Sequence, residues 1–342
     1  MLKHLFIVLL VIFTITGCSQ SDSVVKIAGP TMGTQYHISW IGQSEGAENI
    51  QQLVDQRLVD INRIMSTYDP ESELSRLNRR NQALNAEVVS AALADVLAQA
   101  LEVYIQSEGR FDVTVGPLVN AWGFGPGKHR DQKLSKEEVD ALLSGIGSSA
   151  IHLDDRVLST DKPLYIDLSA IAKGWAVDQI GYLLEQQGII SYLVEIGGEL
   201  RSRGTKSDGN GWRVAVERPV LDAMDRQVQL VLEPGDSALA TSGDYRNYFE
   251  EQGVRYSHTI DPHTGYPITH QLASVTVLNP SCALADAWAT ALNVAGPEQA
   301  ILLANRYKLT AYAIVRTENG FTELASDEFL HRFPGLIHGS EQ

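Results

Sequence analysis

Three polar residues share one face of an otherwise apolar helix near the end of the chain. The stretch SCALADAWATALNVAG, residues 281–296, consists mainly of alanine, leucine and tryptophan. Asp286, Thr290 and Asn293 interrupt it at spacings of four and three, which places them on the same side of a helix with about 3.6 residues per turn. A carboxylate and a hydroxyl that point to one side of such a helix need a polar or charged partner.

The position of Asp286 within this helix favours a bound cation. Ser281 follows Pro280 and is the better helix cap, so the carboxylate of Asp286 lies a full turn inside. Mg²⁺ accepts carboxylate and hydroxyl ligands and keeps positions for substrate phosphates. Asp286 and Thr290 are therefore candidate metal ligands. The alternative is that Asp286 faces solvent or caps a nearby backbone group.

A second candidate lies in YIDLSAIAKGWAVD, residues 165–178. Asp167 is predicted where an apolar strand ends, and Lys173 follows on the first turns of the next helix, with Ser169 as its cap. Strand ends that face helix starts are common ligand positions. The alternative is that Asp167 caps the helix and that Lys173 is a surface lysine.

A third candidate is YSHTIDPHTGYP, residues 256–267. His258 is predicted within a strand, where its imidazole could transfer protons near neutral pH. Asp261 is expected to form an Asx-turn. Two alternatives stay open: a purely structural His258, and a transition-metal site formed by His258, Asp261 and His263.

Glycines within strand-like segments give a further signal. Gly197, Gly198 and Gly243 lie within or beside predicted strands in EIGGEL and TSGDYRNY. Glycine weakens a strand unless the backbone bends or a ligand approaches closely. These positions are consistent with a ligand lying across the sheet, or with simple bulges.

Composition and missing motifs exclude several functions. The formal net charge of −15 argues against nucleic acid as a partner, because phosphates need Lys and Arg. It also argues against recognition of an anionic substrate by charge alone. WGFGPGKH lacks the first Gly and the final Ser or Thr of a P-loop, and there is no G-x-S-x-G, C-x-x-C or H-E-x-x-H motif. A zinc site is therefore not expected.

The N-terminus has the pattern of a bacterial lipoprotein signal. Lys3 precedes an apolar run at residues 5–15, which is too short to span a bilayer, and Thr-Gly follows before Cys18. We expect a signal peptide at 1–17, lipidation of Cys18 within a tether at 18–23, and one domain at 24–342. The alternative is an ordinary signal peptide. With Cys18 acylated, Cys282 has no partner and is expected to be a small buried hydrophobe.

The elements that must position these residues indicate an α+β fold. Strands occur in consecutive series separated by a few helices, which indicates largely antiparallel sheets rather than regular βαβ alternation. Apolar periodicity predicts helices in 47–66, 88–109, 133–147, 168–188, 281–296 and 297–305. Strands are predicted in 24–40, 110–115 and 164–167, around Ile151 and Val157, and repeatedly from 191 to 325.

Together these segments resemble the FAD:protein FMN transferases, the ApbE-type flavin transferases. The resemblance extends over nearly the whole mature chain, and its blocks occur in family order. The blocks are GPTMGT (29–34), MSTYDPESELSRLN (65–78), FDVTVGPLVNAWGFGP (111–126), IDLSAIAKGWAVD (166–178), VEIGGELRSRG (194–204), TSGDYRNYFE (241–250), SHTIDPHTGYP (257–267) and LADAWATAL (284–292).

The resemblance implies both an activity and an architecture. It implies two intimate subdomains with the flavin site between them, packed from helices and antiparallel sheets. Members use Mg²⁺ and transfer the FMN half of FAD to a Thr or Ser hydroxyl, forming a phosphoester and releasing AMP. Their targets are flavin-accepting subunits of membrane redox complexes, such as Na⁺-translocating NADH:quinone reductase or Rnf-type complexes, with a motif resembling S/T-G-A-T.

The resemblance also assigns residues in this chain. Asp286 and Thr290 would be side-chain ligands of the metal, and Ala170 would add its carbonyl oxygen. His258 is the candidate general base, and Asp286 also counts as catalytic. Contacts with FAD are implied for Met32, Tyr68, Arg110, Phe111, Asp112, Asp167, Lys173 and Ile260, with Tyr68 stacking on or covering the flavin.

Two alternative functions and two membranes stay open at this point. The same site could hydrolyse FAD to FMN and AMP, or the protein could be a lipoprotein that binds FAD without chemistry. The lipid anchor places the protein on the periplasmic side of the cell envelope. The inner membrane is expected, and the outer membrane stays open because Ser19 follows the lipidated cysteine in place of aspartate.

Overall fold

The computed structural model describes residues 23–125, 133–219, 227–243, 248–251 and 254–337. The predicted signal peptide and Cys18 lie outside the described residues. Ser23, the expected end of the tether, is instead the first residue of a strand. In these five ranges no helix has the length and apolar character needed to cross a membrane.

The described ranges contain strands from one end of the domain to the other. They are β1 (Ser23–Thr31), β2 (Thr34–Gly42), β3 (Glu87–Val88), β4 (Ile151–Asp154), β5 (Val157–Thr160), β6 (Tyr192–Ile196), β7 (Glu199–Arg203), β8 (Val214–Glu217), β9 (Val228–Leu232), β10 (Ser237–Gly243), β11 (Tyr248–Glu251), β12 (Val254–Ser257), β13 (Leu272–Asn279), β14 (Thr310–Thr317) and β15 (Gly320–Ala325).

Helices occur mainly in the first half of the domain and around residue 290. They are α1 (Ala47–Met65), α2 (Glu73–Asn78), α3 (Ala91–Gln106), α4 (Gly116–Ala121), α5 (Lys136–Ser144), α6 (Ala172–Gln186), α7 (Cys282–Ala295), α8 (Pro297–Arg306) and α9 (Asp327–Arg332).

An eight-stranded sheet forms the centre of the molecule. Its strand order is β1-β2-β6-β7-β10-β13-β14-β15, and every neighbouring pair is antiparallel. Smaller antiparallel groups are β11-β12, β3-β5-β4 and β8-β9. The prediction of an α+β fold with largely antiparallel sheets is therefore confirmed.

Both faces of the central strands are buried, and side-chain alternation decides what each face contacts. In β10 the small side chains of Ala238 and Ala240 belong to the main core with α1, α3, α6 and α7. Leu239 lies between them and packs on the opposite side, in a second apolar cluster with β8, β9 and α9. Because successive strand residues point to opposite faces, one strand supplies both layers.

A third, smaller cluster packs α4 and α5 against the segment that follows β12. Its members include Leu118, Trp122, Val139 and Ile260. The indole N–H of Trp122 donates to the carbonyl oxygen of Gly265 at 2.9 Å, which fastens this unit to the 257–267 segment. The candidate functional residues lie where the three clusters meet.

A glycine lets α6 and α7 approach closely. A Cβ at Gly174 would lie 2.3 Å from the carbonyl oxygen of Cys282 and 2.8 Å from Cβ of Asp286. Both distances are shorter than real contacts allow, so glycine is required for this helix crossing. The first turn of α6 is thereby placed beside the middle of α7.

Two predicted strands are wrong, for the same physical reason. Residues 110–115 form turns, because the Asp112 carboxylate accepts from the backbone N–H and the hydroxyl of Thr114 (2.7 and 2.5 Å). Residues 164–167 have no ladder partner, because the Asn78 side-chain amide bonds both the N–H and the C=O of Ile166, each at 2.8 Å. In both segments, side chains form the backbone hydrogen bonds that a neighbouring strand would otherwise form.

Candidate active site

A cavity of about 440 Å³ opens where the three apolar clusters meet. Its wall includes Phe111 of the main core, Leu239 of the second cluster and Ile260 of the third. Eleven of the site residues expected from the sequence line it: Tyr68, Arg110, Phe111, Asp112, Asp167, Ala170, Lys173, His258, Ile260, Asp286 and Thr290.

Met32 is the one residue expected inside the domain that does not line this cavity. It lies in the turn between β1 and β2 with a left-handed backbone (φ 48°) and packs, half-buried, against the main core. Thr34, two residues later, lies beside Gly197, a residue of the cavity wall. The contact of Met32 with FAD stays a prediction.

The Asp286 carboxylate accepts a hydrogen bond from the first turn of α6. Its Oδ2 atom accepts from the backbone N–H of Gly174 at 3.1 Å. The N-cap position of α6 is Ile171, which provides no side-chain cap, so Ser169 as the cap is wrong. Ser169 instead donates from its N–H and hydroxyl to Asp167 (2.9 and 2.5 Å). A carboxylate from another helix satisfies this N-terminus, where negative charge is favourable.

Lys173 lies between two buried carboxylates. Its ammonium is 2.9 Å from Oε1 of Glu199 and 3.8 Å from Oδ2 of Asp286. Glu199 is 5% exposed and Asp286 is 6% exposed. Burial disfavours the charge on Lys173, but Asp286 and Glu199 outweigh burial and raise the pKa of the ammonium. Lys173 is therefore a charged residue of the cavity wall and not the surface lysine of the alternative interpretation.

Burial disfavours the charged form of both carboxylates. Burial, and then the charge of Asp286, raise the pKa of Glu199 to about 7, against the opposing effect of Lys173. Burial also raises the pKa of Asp286, opposed by Lys173 and the Gly174 amide. In addition, Oε2 of Glu199 is buried without a hydrogen-bond partner. One ammonium does not fully compensate two buried carboxylates.

Glu199 was not among the residues expected from the sequence. It follows the turn formed by Gly197 and Gly198, whose φ values of 61° and 110° are easily reached only by glycine. The EIGGEL segment could have indicated this residue. Glu199 directly follows a Gly-Gly hairpin turn and begins a strand, so its side chain can point to the buried face of the sheet. Both glycines line the cavity, as a ligand lying across the sheet requires.

The predicted metal ligands line the cavity together, and their chemistry fits a hard divalent cation. Asp286 offers a carboxylate, Thr290 a hydroxyl one helical turn further along α7, and Ala170 a backbone carbonyl just before α6. The single ammonium of Lys173 faces two buried carboxylates and lies nearer to Glu199, so Asp286 keeps negative charge that a dication would compensate. Across the described ranges, no group of three or more His, Cys, Asp or Glu is arranged to hold a metal.

Asn293, the third polar residue on this face of α7, has different neighbours. Its side chain is fully buried, and its amide N–H donates to the hydroxyl of Ser242 at 3.4 Å. Ser242 is a residue of β10 and lines the cavity. Asn293 thus fastens α7 to the sheet behind the site, without itself lining the cavity.

His258 follows β12 directly instead of lying within a strand, as the sequence pattern predicted. It lines the cavity, and its ring lies edge-on to Phe124 with 6.3 Å between ring centroids. The backbone on either side is held by hydrogen bonds, including the Thr259 N–H to the Ser257 hydroxyl at 3.1 Å. The histidine is therefore positioned against the cavity by a fixed turn.

The other residues of this turn are structural. The carboxylate of Asp261 accepts from the N–H of His263 at 2.9 Å, which confirms the Asx-turn. The His263 ring contacts the carbonyl oxygen of Glu108 at 3.0 Å, and His263 does not line the cavity. The geometry gives no support to a transition-metal site shared by His258, Asp261 and His263.

The carboxylates of Asp112 and Asp167 shape the loops of the wall. In addition to Thr114, Asp112 accepts from the N–H and hydroxyl of Ser148 (3.1 and 2.6 Å). Asp167 accepts from Ser169, and its N–H donates to the carbonyl of Val113 at 2.7 Å. Because the Asp112 carboxylate already accepts hydrogen bonds from Thr114 and Ser148, we expect any contact of Asp112 with FAD to involve its backbone atoms.

Tyr68, Arg110 and Phe111 present different surfaces to the cavity. Tyr68 is 68% exposed, as expected for a ring that covers a ligand at the rim, whereas Phe111 is buried. The Arg110 guanidinium donates to Oε2 of Glu108 and to the carbonyl of Ser107, each at 3.1 Å. Its charge is thereby partly compensated.

Cys282 is fully buried, and its thiol donates to the carbonyl of Leu200 at 3.5 Å. Burial and the neighbouring carboxylates raise the pKa of the thiol well above its usual range. The expectation of a small buried hydrophobe is confirmed.

Residues 32–314 match the ApbE family model. The chain is 45% identical over 331 residues to an FAD:protein FMN transferase of Vibrio cholerae, covering 96% of this chain and 98% of that protein. The protein of the same name from Escherichia coli K12 is 38% identical, with 92% of each chain covered.

Solved structures agree with these sequence matches. The flavin transferase ApbE from Vibrio cholerae has a TM-score of 0.83 at 44% identity, covering 90% of this chain and 98% of that one. The apo form of the flavinyl transferase ApbE from Pseudomonas stutzeri has a TM-score of 0.84 at 36% identity, covering 94% and 98%. The fold is therefore shared with these flavin transferases.

Proposed function

The chain belongs to the ApbE family, and on this premise we propose that it is an FAD:protein FMN transferase. It transfers the FMN half of FAD to a Thr or Ser hydroxyl of a target flavoprotein. One observation carries the proposal: a single cavity of about 440 Å³ is lined by eleven of the residues that the family resemblance assigns to flavin, metal and base.

The reaction exchanges one phosphorus–oxygen bond for another. The acceptor hydroxyl oxygen bonds to the phosphorus of the FMN half, and the bond from that phosphorus to the bridging diphosphate oxygen breaks. AMP leaves with the electron pair, and the hydroxyl proton passes to the imidazole of His258 as general base. The product is a phosphoester between flavin and protein.

The chain's own residues hold the substrate in place for this displacement. Asp286, Thr290 and the Ala170 carbonyl would hold Mg²⁺, which would supply positive charge for the diphosphate and the departing AMP. Lys173 contributes a fixed positive charge in the same wall. The apolar side chains of Phe111 and Ile260 line the wall and exclude water. Exclusion of water favours transfer, because hydrolysis would otherwise compete.

Incubation of the purified chain with FAD, Mg²⁺ and an acceptor domain bearing the S/T-G-A-T motif separates the three candidate functions. Flavin that stays on the acceptor after denaturation, with one AMP released per flavin bound, supports the transferase. Free FMN and AMP in equal amounts, without labelled acceptor, would establish the pyrophosphatase. Bound but unchanged FAD would establish the non-catalytic lipoprotein. An acceptor with the target Thr or Ser replaced by Ala is the matched control.

The location of the protein is a separate proposal, based on the N-terminal sequence. We propose that Cys18 carries the lipid and holds the domain on the periplasmic side of the cell envelope, at the inner membrane. There the domain would meet the flavin-accepting subunits of Na⁺-translocating or Rnf-type redox complexes. Cys18→Ser should move the protein from the membrane fraction to the soluble periplasmic fraction. Unchanged membrane fractionation of this variant would contradict lipidation.

A further inference from the structure

We propose that Glu199 is a positioning residue, which holds the Lys173 ammonium to one side so that Asp286 stays available to a divalent cation. The inference rests on the proposed function, because it concerns the same cation site. It assigns a role to Glu199, which lies in the family block VEIGGELRSRG but was given no role by the resemblance, and it explains why Lys173 lies in the cavity wall.

The geometry shows an ammonium closer to one carboxylate than to the other. Lys173 is 2.9 Å from Oε1 of Glu199 and 3.8 Å from Oδ2 of Asp286. The side chains of Glu199 and Asp286 are only 6% and 8% exposed. Water therefore screens the two carboxylates little, although the Lys173 side chain is itself 29% exposed, so the nearer carboxylate decides the position of the ammonium.

The burial of Glu199 is not explained by its ion pair alone. Its second oxygen, Oε2, is buried without a hydrogen-bond partner, which costs free energy that a solvent-exposed glutamate would avoid. Gly197 and Gly198 place this carboxylate at the cavity wall. A buried and incompletely satisfied carboxylate at this position is reasonable if it controls a neighbouring charge.

Without Glu199, the nearest anion for Lys173 is Asp286. The ammonium would move towards Asp286 and compete with a divalent cation for the same carboxylate. Glu199 removes that competition by providing the closer partner. The consequence is that removing the charge of Glu199 should weaken cation binding only while Lys173 is present.

A double-mutant cycle tests this dependence without relying on enzyme activity. Binding of Mg²⁺, and of Mn²⁺ as a paramagnetic probe, is measured on the purified chain by calorimetry and electron paramagnetic resonance, with neither FAD nor acceptor added. Glu199→Gln should weaken binding about tenfold, the effect typical of losing a partner of a metal ligand. In the Lys173→Met background the same substitution should change affinity less than about twofold.

Two results of the cycle would overturn the proposal. Unchanged affinity in Glu199→Gln would show that Glu199 has no influence on the cation. An equal loss in both backgrounds would show that Glu199 acts directly on the cation, as a ligand or by its own charge. Glu185→Gln is the matched control. Glu185 lies on α6, the helix that carries Lys173, and forms an ion pair with Arg203 of β7 at 2.6 Å, but it does not line the cavity.

A metal-free crystal structure shows the position of the ammonium directly and does not depend on enzyme activity. In a crystal structure of Glu199→Gln, the distance from the Lys173 ammonium to the nearer Asp286 oxygen should fall from 3.8 Å to hydrogen-bond range; an unchanged or longer distance would overturn the proposal. A wild-type chain that binds no divalent cation would also overturn it. A chain that gives the expected cycle but transfers no FMN would overturn only the proposed activity.

Discussion

Two clusters of buried charge are built from the same three elements, α6, β7 and α7, yet they differ in how completely they are satisfied. The cavity cluster consists of Lys173, Glu199 and Asp286. The interior cluster consists of Asp178, Arg201 and Ser281. The cavity cluster takes one residue from each element, and the interior cluster takes one from α6, one from β7 and the N-cap residue directly before α7. The comparison is therefore between two sets of contacts among the same neighbouring elements.

The interior cluster is closed. Oδ1 of Asp178 accepts from the Arg201 guanidinium at 2.7 Å. Oδ2 accepts from the Ser281 hydroxyl at 2.9 Å and from the N–H of Ala283 at 3.1 Å. Both carboxylate oxygens are thus used, and the contacts join α6 to β7 and to the start of α7. Such a cluster orients elements and leaves nothing for a ligand.

The cavity cluster is open. It has one ammonium for two carboxylates, an orphaned oxygen on Glu199 and a longer distance of 3.8 Å to Asp286. Burial raises the pKa of Asp286, and raises that of Glu199 to about 7. Buried polar groups are normally satisfied, so incomplete satisfaction beside a cavity is a sign of function. The difference teaches that completeness of pairing separates the structural cluster from the candidate functional one.

Asp286→Ala should give the largest effect, because it removes the carboxylate of the open cluster. We expect FMN transfer to fall at least about 10³-fold, since a metal ion contributes several kcal/mol to stabilising such a transition state. The chain should still fold, because the substitution removes a buried and incompletely paired charge. Loss of the acceptor for the Gly174 N–H at the start of α6 should lower the free energy of unfolding by about 1 kcal/mol. Full transfer activity in this variant would refute the assignment of Asp286 as a metal ligand.

Asp178→Ala should produce the opposite pattern, because it breaks the closed cluster. We expect the free energy of unfolding to fall by about 3 kcal/mol, as is typical when a buried ion pair loses one partner. Denaturant titration gives this value, and activity per folded molecule should stay within about twofold of wild type. A large loss of activity without loss of stability would break the comparison.

His258→Ala tests a residue that lines the cavity but belongs to neither cluster. Loss of a general base should slow transfer about 10²-fold, while FAD affinity measured by flavin fluorescence stays unchanged. His263→Ala is the control, because His263 is in the same turn but bonds to the Glu108 carbonyl outside the cavity. An unchanged transfer rate would remove His258 as the base.

Ser281→Ala should give the smallest effect, at the edge of the closed cluster. The hydroxyl accepts from the N–H of Leu284 at 3.3 Å and donates to Asp178. Losing this cap should lower the free energy of unfolding by about 1 kcal/mol. Mg²⁺ affinity should not change, because the hydroxyl does not contact the open cluster. A weakened affinity would show that the two clusters are coupled.

Local patterns predicted many of the elements correctly. Apolar periodicity predicted α1, α3, α5, α6, α7 and α8, and Ser281 caps α7 as expected. The placement of Asp286 and Thr290 along one side of α7 also followed from the sequence, because the helical repeat alone fixes the face. Short elements such as β3 and α9 were missed, since two to six residues carry too little periodicity.

The failures share a cause in contacts between distant parts of the chain. The segments at 110–115 and 164–167 have apolar, strand-like sequences, but Asp112 and Asn78 satisfy backbone groups that a neighbouring strand would otherwise bond. Ser169 is well placed in sequence to cap α6, yet Asp286, more than 110 residues later, takes that role. Local propensity is a weak predictor where a tertiary partner competes for the same hydrogen bonds.

The sequence by itself determined the α+β class, the family blocks and the candidate side-chain ligands Asp286 and Thr290, because each depends on residue type and short-range spacing. Only the tertiary structure decided which charges share the cavity. Lys173, Glu199 and Asp286 come from three separate elements, and the close helix crossing at Gly174 brings two of them together. Burial at that crossing, which no local pattern encodes, removes water from these groups and makes their incomplete pairing significant.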